Sequence, residues 1–181
     1  SRRRTSVREL AITAVGRDRP GIVAGLTAAL LPIGANLHDC RAALLRGSFA
    51  MVLAVEVPDE VDVEATRTAI APAAETLGLE IWVGEATGPE QAAGGDRCVI
   101  SVYGADHPGI VHATSKALAD LDINILDLSS RVVGDPPVYV LGIEAELPSG
   151  VSLAAAEAAL QPVAAAQHVE LHLEREADEV L

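Results

Sequence analysis

The sequence is poor in aromatic residues: only Phe49, Trp82, Tyr103 and Tyr139 are scattered along its 181 positions. Proteins that hold single-stranded nucleic acid stack bases on aromatic platforms, and four dispersed rings make none. Basic residues are also few, 13 against 26 acidic ones, for a formal net charge of −13. A surface of that sign repels a phosphate backbone, so direct nucleic-acid binding is not expected. Arg2, Arg3, Arg4 and Arg8 crowd near the N-terminus. Residues 1–6 are expected to form a short arm, of the kind that commonly frays.

Cysteine is nearly absent. Cys40 and Cys98 stand alone, in no CxxC or CxxxC spacing, which offers neither a disulfide framework nor a metal knuckle and fits a reducing cytoplasm. No apolar segment with a small-residue cleavage site follows the arginines, so no secretory signal is expected. Pro20 to Leu37 is uncharged over 18 residues, a length that approaches a membrane span. Its Pro32, Gly34 and Asn36 argue against one, and so do Lys116, Asp120 and Asp122 in a related stretch further on.

What is present is an apolar half of the residues, enough to bury a core without staples, and a duplication. GRDRPGIV at 16–23 returns as GADHPGIV at 104–111. An offset of 88 lays Asp18 on Asp106, Asn36 on Asn124, Asp39 on Asp127, Val52 on Val140 and Glu56 on Glu144, with twelve identities over positions 18–56. Beyond that point an offset of 90 lays Pro72 on Pro162 and Glu80 on Glu170. Two units, 7–84 and 97–176, are expected. EATGPEQAAGGD at 85–96 reads as a linker, and 177–181 as a tail.

Each unit carries the same pattern. Glu9 to Val15 and Arg97 to Tyr103 are short and rich in strand formers. Ile22, Val23, Leu26, Leu30 and Ile33 recur at helical spacing after Pro20, matched by Ile110, Val111, Thr114, Leu118 and Leu121. Asn36 to Leu45 and Phe49 to Val57 predict a hairpin turning at Arg46-Gly47-Ser48, and the second copy turns at Gly134-Asp135-Pro136. Ala-rich helices over 61–77 and 152–167, then strands over 79–83 and 169–173, complete a βαββαβ order. The fold class is therefore α+β, two ferredoxin-like units, each a four-stranded antiparallel sheet with two helices on one face. Val52, Ala54 and Glu56, with Val140, Gly142 and Glu144, are expected on the open face.

The loop chemistry follows from its letters. Pro20 and Pro108 have the φ of a first helical position, and Gly21 and Gly109 leave the backbone open to approach. Unpaired N–H groups and the helix dipole then favour a carboxylate, Asp18 or Asp106 an ammonium, and Asn36 or Asn124 offers donor and acceptor alike. Such a set suits a small α-amino acid. D-x-P-G-I-V followed by Asn, on a βαββαβ duplication, resembles the ACT domain, a family of ligand-sensing regulatory modules. The two-copy form is similar to the glycine cleavage system transcriptional repressor group. The resemblance implies amino-acid sites, glycine or serine first, between two units: the first strand-helix loop of one and the second-strand region of the other. Carried over, the ligand-binding residues are Asp18, Gly21, Ile22 and Asn36, and Asp106, Gly109, Ile110 and Asn124. It further implies a cytoplasmic, non-catalytic homodimer with no cofactor or metal, acting on a partner regulatory protein.

Plainer readings compete. Asp before Pro-Gly is a common helix cap, and Asn near a turn bonds its own backbone. The chain would then be an interaction module without a small ligand. The loop lacks the third Gly of a dinucleotide motif and the Lys of a P-loop. His168, Glu170, His172 and Glu174 alternate and read as a solvated strand face more readily than a metal site. His38-Asp39 has no repeated nucleophile beside it, so catalysis is not expected.

Overall fold

The computed structural model describes residues 6–87 and 95–176. Positions 1–5, the middle of the expected linker at 88–94, and the tail at 177–181 lie outside the described residues. The chain divides into two compact units, Ser1–Glu90 and Gln91–Leu181.

The first unit runs β1 (Val7–Arg17), α1 (Ile22–Leu30), a 3-10 turn (Leu31–Ile33), β2 (Asn36–Leu45), β3 (Ser48–Pro58), α2 (Val63–Leu77) and β4 (Leu79–Glu85). The second runs β5 (Arg97–Gly104), α3 (Ile110–Asp120), β6 (Asn124–Val133), β7 (Val138–Glu146), α4 (Leu153–Gln167) and β8 (Val169–Arg175). Each sheet is antiparallel, ordered β2-β3-β1-β4 and β6-β7-β5-β8.

Strand alternation decides which face is covered. Leu10, Ile12 and Ala14 on β1 and Met51, Leu53, Val55 and Val57 on β3 are buried, together with Ile22, Leu26 and Leu30 from α1 and Ile70 and Ala74 from α2. Both helices therefore lie on that one face. The second core repeats this with Ile100, Val102, Leu141, Ile143, Ile110, Leu118 and Leu160. Each fully buried aliphatic side chain contributes about 1.5–3 kcal/mol. Thr66 and Thr114 enter these cores because each hydroxyl donates to a carbonyl four residues back, Asp62 O and Ile110 O, both at 2.9 Å. Val23 and Val111 share the helical apolar spacing but stand 44% and 37% exposed.

The two hairpins differ. Arg46 and Gly47, with φ of 50° and 81°, make a two-residue turn in which both residues are left-handed, as a type I′ hairpin requires. The second hairpin connects Val133 to Val138 through four residues. The change of offset from 88 to 90 therefore falls here and not after position 56. Gly16 pairs with Phe49 and Gly104 with Tyr139, so Val52 corresponds to Gly142 and Glu56 to Glu146. The sequence pairing of Val52 with Val140 and Glu56 with Glu144 is corrected by this register. In both units the pairing of the second and third strands shifts between Leu37 and Asp39, or Ile125 and Asp127, leaving His38 and Leu126 as bulge residues.

Candidate functional site

The turn that ends β1 is tied down by the Asp18 N–H, which donates to Gly47 O at 2.9 Å. Gly21 has φ 92° and ψ 0°, and Gly109 φ 103° and ψ −13°. These are values for the third residue of a type II turn, with Pro at the second. Pro20 and Pro108 thus occupy the turn, and the helices begin at Ile22 and Ile110. The expected first helical position for the prolines is corrected: a left-handed Gly interposes itself. A Cβ on Gly21 would meet nothing within 4 Å, so its backbone angle, not crowding, calls for glycine.

Helix starts expose N–H groups that have no partner within the helix. The first helical bonds are Gly25 N–H to Gly21 O at 2.8 Å and Ala113 N–H to Gly109 O at 2.9 Å. The N–H groups of Ile22, Val23 and Ala24, and of Ile110, Val111 and His112, precede them. Neither α1 nor α3 has a side-chain cap or an acid in its first turn. The second helices are built the other way: Asp62 accepts from Ala65 N–H at 2.7 Å and Ser152 from Ala155 N–H at 3.1 Å. The helix-cap reading of Asp18 and Asp106 is therefore not what the structure has.

Ile22 and Ile110 are 2% exposed. Their side chains belong to the core, and only their N–H groups remain for a ligand.

The structure does not bring the Asp and the Asn of one unit together. Asn36 opens β2 opposite Glu56, which in turn lies opposite Glu9, near the start of β1. Asp18 follows the far end of that strand. Eight strand steps from Glu9 to Arg17, at about 3.3 Å each, put them roughly 26 Å apart along the sheet. Asn124 stands in the same place in the second unit, opposite Glu146, which lies opposite Arg97. No ligand of amino-acid size touches both from one unit.

Glu56 and Glu146 were missed by sequence reasoning as a pair, because the misplaced offset matched Glu56 to Glu144. Each faces its unit's Asn at the distance of a cross-strand pair. His38 Nε2 lies 3.0 Å from Glu56 Oε2, while the second unit has Leu126 at that bulge and Glu146 is 9% exposed.

A shallow cleft recurs beside each loop. In the first unit it encloses about 600 Å³ beside Gly16, Arg17, Arg46 and Glu80. In the second it encloses about 410 Å³ beside Tyr103, Gly104, His168 and Glu170. Neither is lined by the Asp, the turn Gly or the Asn. Among the described residues no group of three or more His, Cys, Asp or Glu side chains is placed to hold a metal ion, and no helix is long and apolar enough to cross a membrane.

Family models described as ACT domain match residues 8–84 and 99–157. The chain belongs to the ACT domain family. A UPF0237 protein of Methanopyrus kandleri is 40% identical over 73 residues, covering 40% of this chain and 81% of that protein. Among solved structures, an unknown protein from Galdieria sulphuraria superposes with a TM-score of 0.83 at 26% identity, covering 95% of this chain and all, 100%, of that one. A candidate glycine cleavage system transcriptional repressor gives 0.69 at 19% identity, covering 95% and 99%. At that identity the likeness speaks for the fold alone. The protein is thus a tandem ACT pair, and Asp18, Gly21, Asp106 and Gly109 sit on the equivalent loop of each domain.

Proposed function

We propose that this tandem ACT protein is a non-catalytic regulator that binds a small α-amino acid at its two Asp-x-Pro-Gly loops. The observation that carries this reading is the contrast between helix starts. In both units the second helix is capped by its own side chain, while the first begins bare behind a left-handed glycine. Three free N–H groups at the positive end of a helix favour a carboxylate by about 0.3–1 kcal/mol before any direct bond is counted. Asp18 or Asp106 supplies a counter-charge for the ammonium group. Because Asn36 and Asn124 stand at the other end of their own sheets, the Asn that orients a ligand must come from a different ACT unit than the loop.

Glycine and serine are the first ligands to test, as small zwitterions that a carboxylate-and-ammonium site suits. The ligand acts by binding two arrangements of the protein unequally, and a partner regulatory protein reads the difference. A homodimer and a role in transcriptional control of amino-acid metabolism complete this reading. With a net charge of −13, contact with DNA falls to the partner. Titration calorimetry with the common amino acids tests it. Saturable heat with glycine or serine, weakened by Asn36→Ala or Asn124→Ala in a folded protein, is the expected result. The absence of heat and of any thermal shift with every amino acid rejects it.

A second reading has its own observation. Trp82 and Val52 stand 56% and 53% exposed on the open sheet face of the first unit, as a protein-docking face would. Capture of a partner that is indifferent to amino acids would favour an interaction module without a small ligand.

A further inference from the structure

The residue between Asp and Pro in the repeated loop is Arg19 in one unit and His107 in the other, and sequence comparison gives it no common role. The structure does. Arg19 Nη1 donates to Thr76 O at 3.3 Å, and Thr76 is next to last in α2. His107 Nε2 lies 2.7 Å from Gln167 O, and Gln167 is last in α4. Both side chains therefore reach across to the C-terminal end of the second helix of their unit. The last carbonyls of a helix lack partners within it and carry the negative end of its dipole, so each is a natural seat for a cation.

The two cations differ in permanence. A guanidinium stays charged at any pH a protein survives, whereas imidazole loses its proton near neutrality. His107 also places its other ring nitrogen, Nδ1, 3.0 Å from Pro108 O. A neutral imidazole has one N–H and can satisfy only one of these carbonyls; the imidazolium satisfies both.

We propose that this position is a latch holding the ligand loop against the second helix, permanent in the first unit and loosened in the second by loss of a proton, which removes the positive charge and one of the two carbonyl bonds.

The surroundings act in the same direction. Bonds to the Pro108 and Gln167 carbonyls raise the His107 pKa above its ordinary 6.5, partial burial opposes them, and the Asp106 charge adds to the rise. From α4 the last turn, Ala164 to Gln167, presents no charged side chain, and the following residue is His168. From α3 the titratable group of the first turn is His112. Because the folded pKa is raised, the charge-dependent part of the latch's stabilisation is present in full below pH 6.5 and is lost as pH climbs through the folded value.

That pH then governs ligand affinity at the second loop rests on the function proposed above, but the latch itself does not. The test uses the full chain without ligand. NMR titration of the His107 ring is expected to give a midpoint above that of the same residue in the urea-unfolded chain. Over the same pH interval the backbone order of Asp106, His107 and Gly109 falls from the rigid toward the flexible range, while Asp18, Arg19 and Gly21 hold theirs. His107→Arg should abolish the change in the second loop, and Arg19→His should create one in the first. A His107 midpoint at or below the unfolded value overturns the latch, and so does a second loop whose order ignores pH. If His107→Arg perturbs the fold, Arg19→His carries the test alone, and a first loop that stays insensitive to pH after that exchange also overturns it. Amino-acid calorimetry enters neither readout, so a chain that binds no amino acid leaves the latch standing, and the reverse.

Discussion

The two ACT units keep the same helix starts and differ on the sheet face that no helix covers. Along one row of the first sheet, Trp82, Thr13, Val52 and Arg41 lie side by side; in the second the row is His172, Ser101, Gly142 and Ser129. The first row carries two apolar side chains, Val52 and Trp82, and the second carries none, with Glu170 and Glu174 flanking His172 on β8. The left-handed glycine, the bare first helix, the bulge and the Asn-Glu pair recur in both. A duplicated chain whose units share their loops and diverge on their open faces can keep one recognition chemistry while presenting two different surfaces. Differences also sit around the loop, where Arg19 of the first unit corresponds to His107 of the second and Gly78 to His168.

That last exchange gives the largest effect. Gly78 and His168 are the C-caps of α2 and α4, with φ of 69° and 55°. A left-handed conformation costs a residue with a Cβ about 1–2 kcal/mol. His168→Gly should therefore stabilise the chain, and Gly78→Ala destabilise it, each by about 1 kcal/mol in urea unfolding. Equal stabilities would break the correspondence drawn between the two caps.

A smaller contrast between paired variants separates the helix starts within each unit. Asp62→Ala and Ser152→Ala each remove a cap bond and should cost about 1 kcal/mol. Asp18→Ala and Asp106→Ala remove none and should stay within about 0.5 kcal/mol. If the second pair proves as costly as the first, the loop acids are structural, and the contrast on which the functional reading depends disappears.

Most of the fold was legible because the duplication let each copy correct the other. The misplaced offset has a physical cause. Strands alternate with a period of two, so a slip of two residues keeps every inward residue inward and every outward residue outward. Val52 over Val140 and Glu56 over Glu144 therefore satisfied the burial pattern as well as the true register does, and only the length of the hairpin loop exposes the difference. The position of Pro20 was hidden for another reason: its φ suits both a first helical residue and the second residue of a type II turn. The site was legible as letters but not as a place. Asp18 and Asn36 are close in sequence, yet α1 carries the chain back along the full length of β1 between them. The Asn-Glu pair across β2 and β3 depends on strand register, which no local motif reveals.

The central claim is that the bare first helices, and not the capped second ones, receive a carboxylate. Backbone amide NMR of the full chain titrated with glycine and then serine addresses it directly. The account predicts saturable shifts at Ile22, Val23 and Ala24, at Ile110, Val111 and His112, or at both sets, with the amides of Val63 to Ala65 and Leu153 to Ala155 unmoved. Shifts confined to the clefts beside Arg46 and Glu170, or none at all, would contradict it.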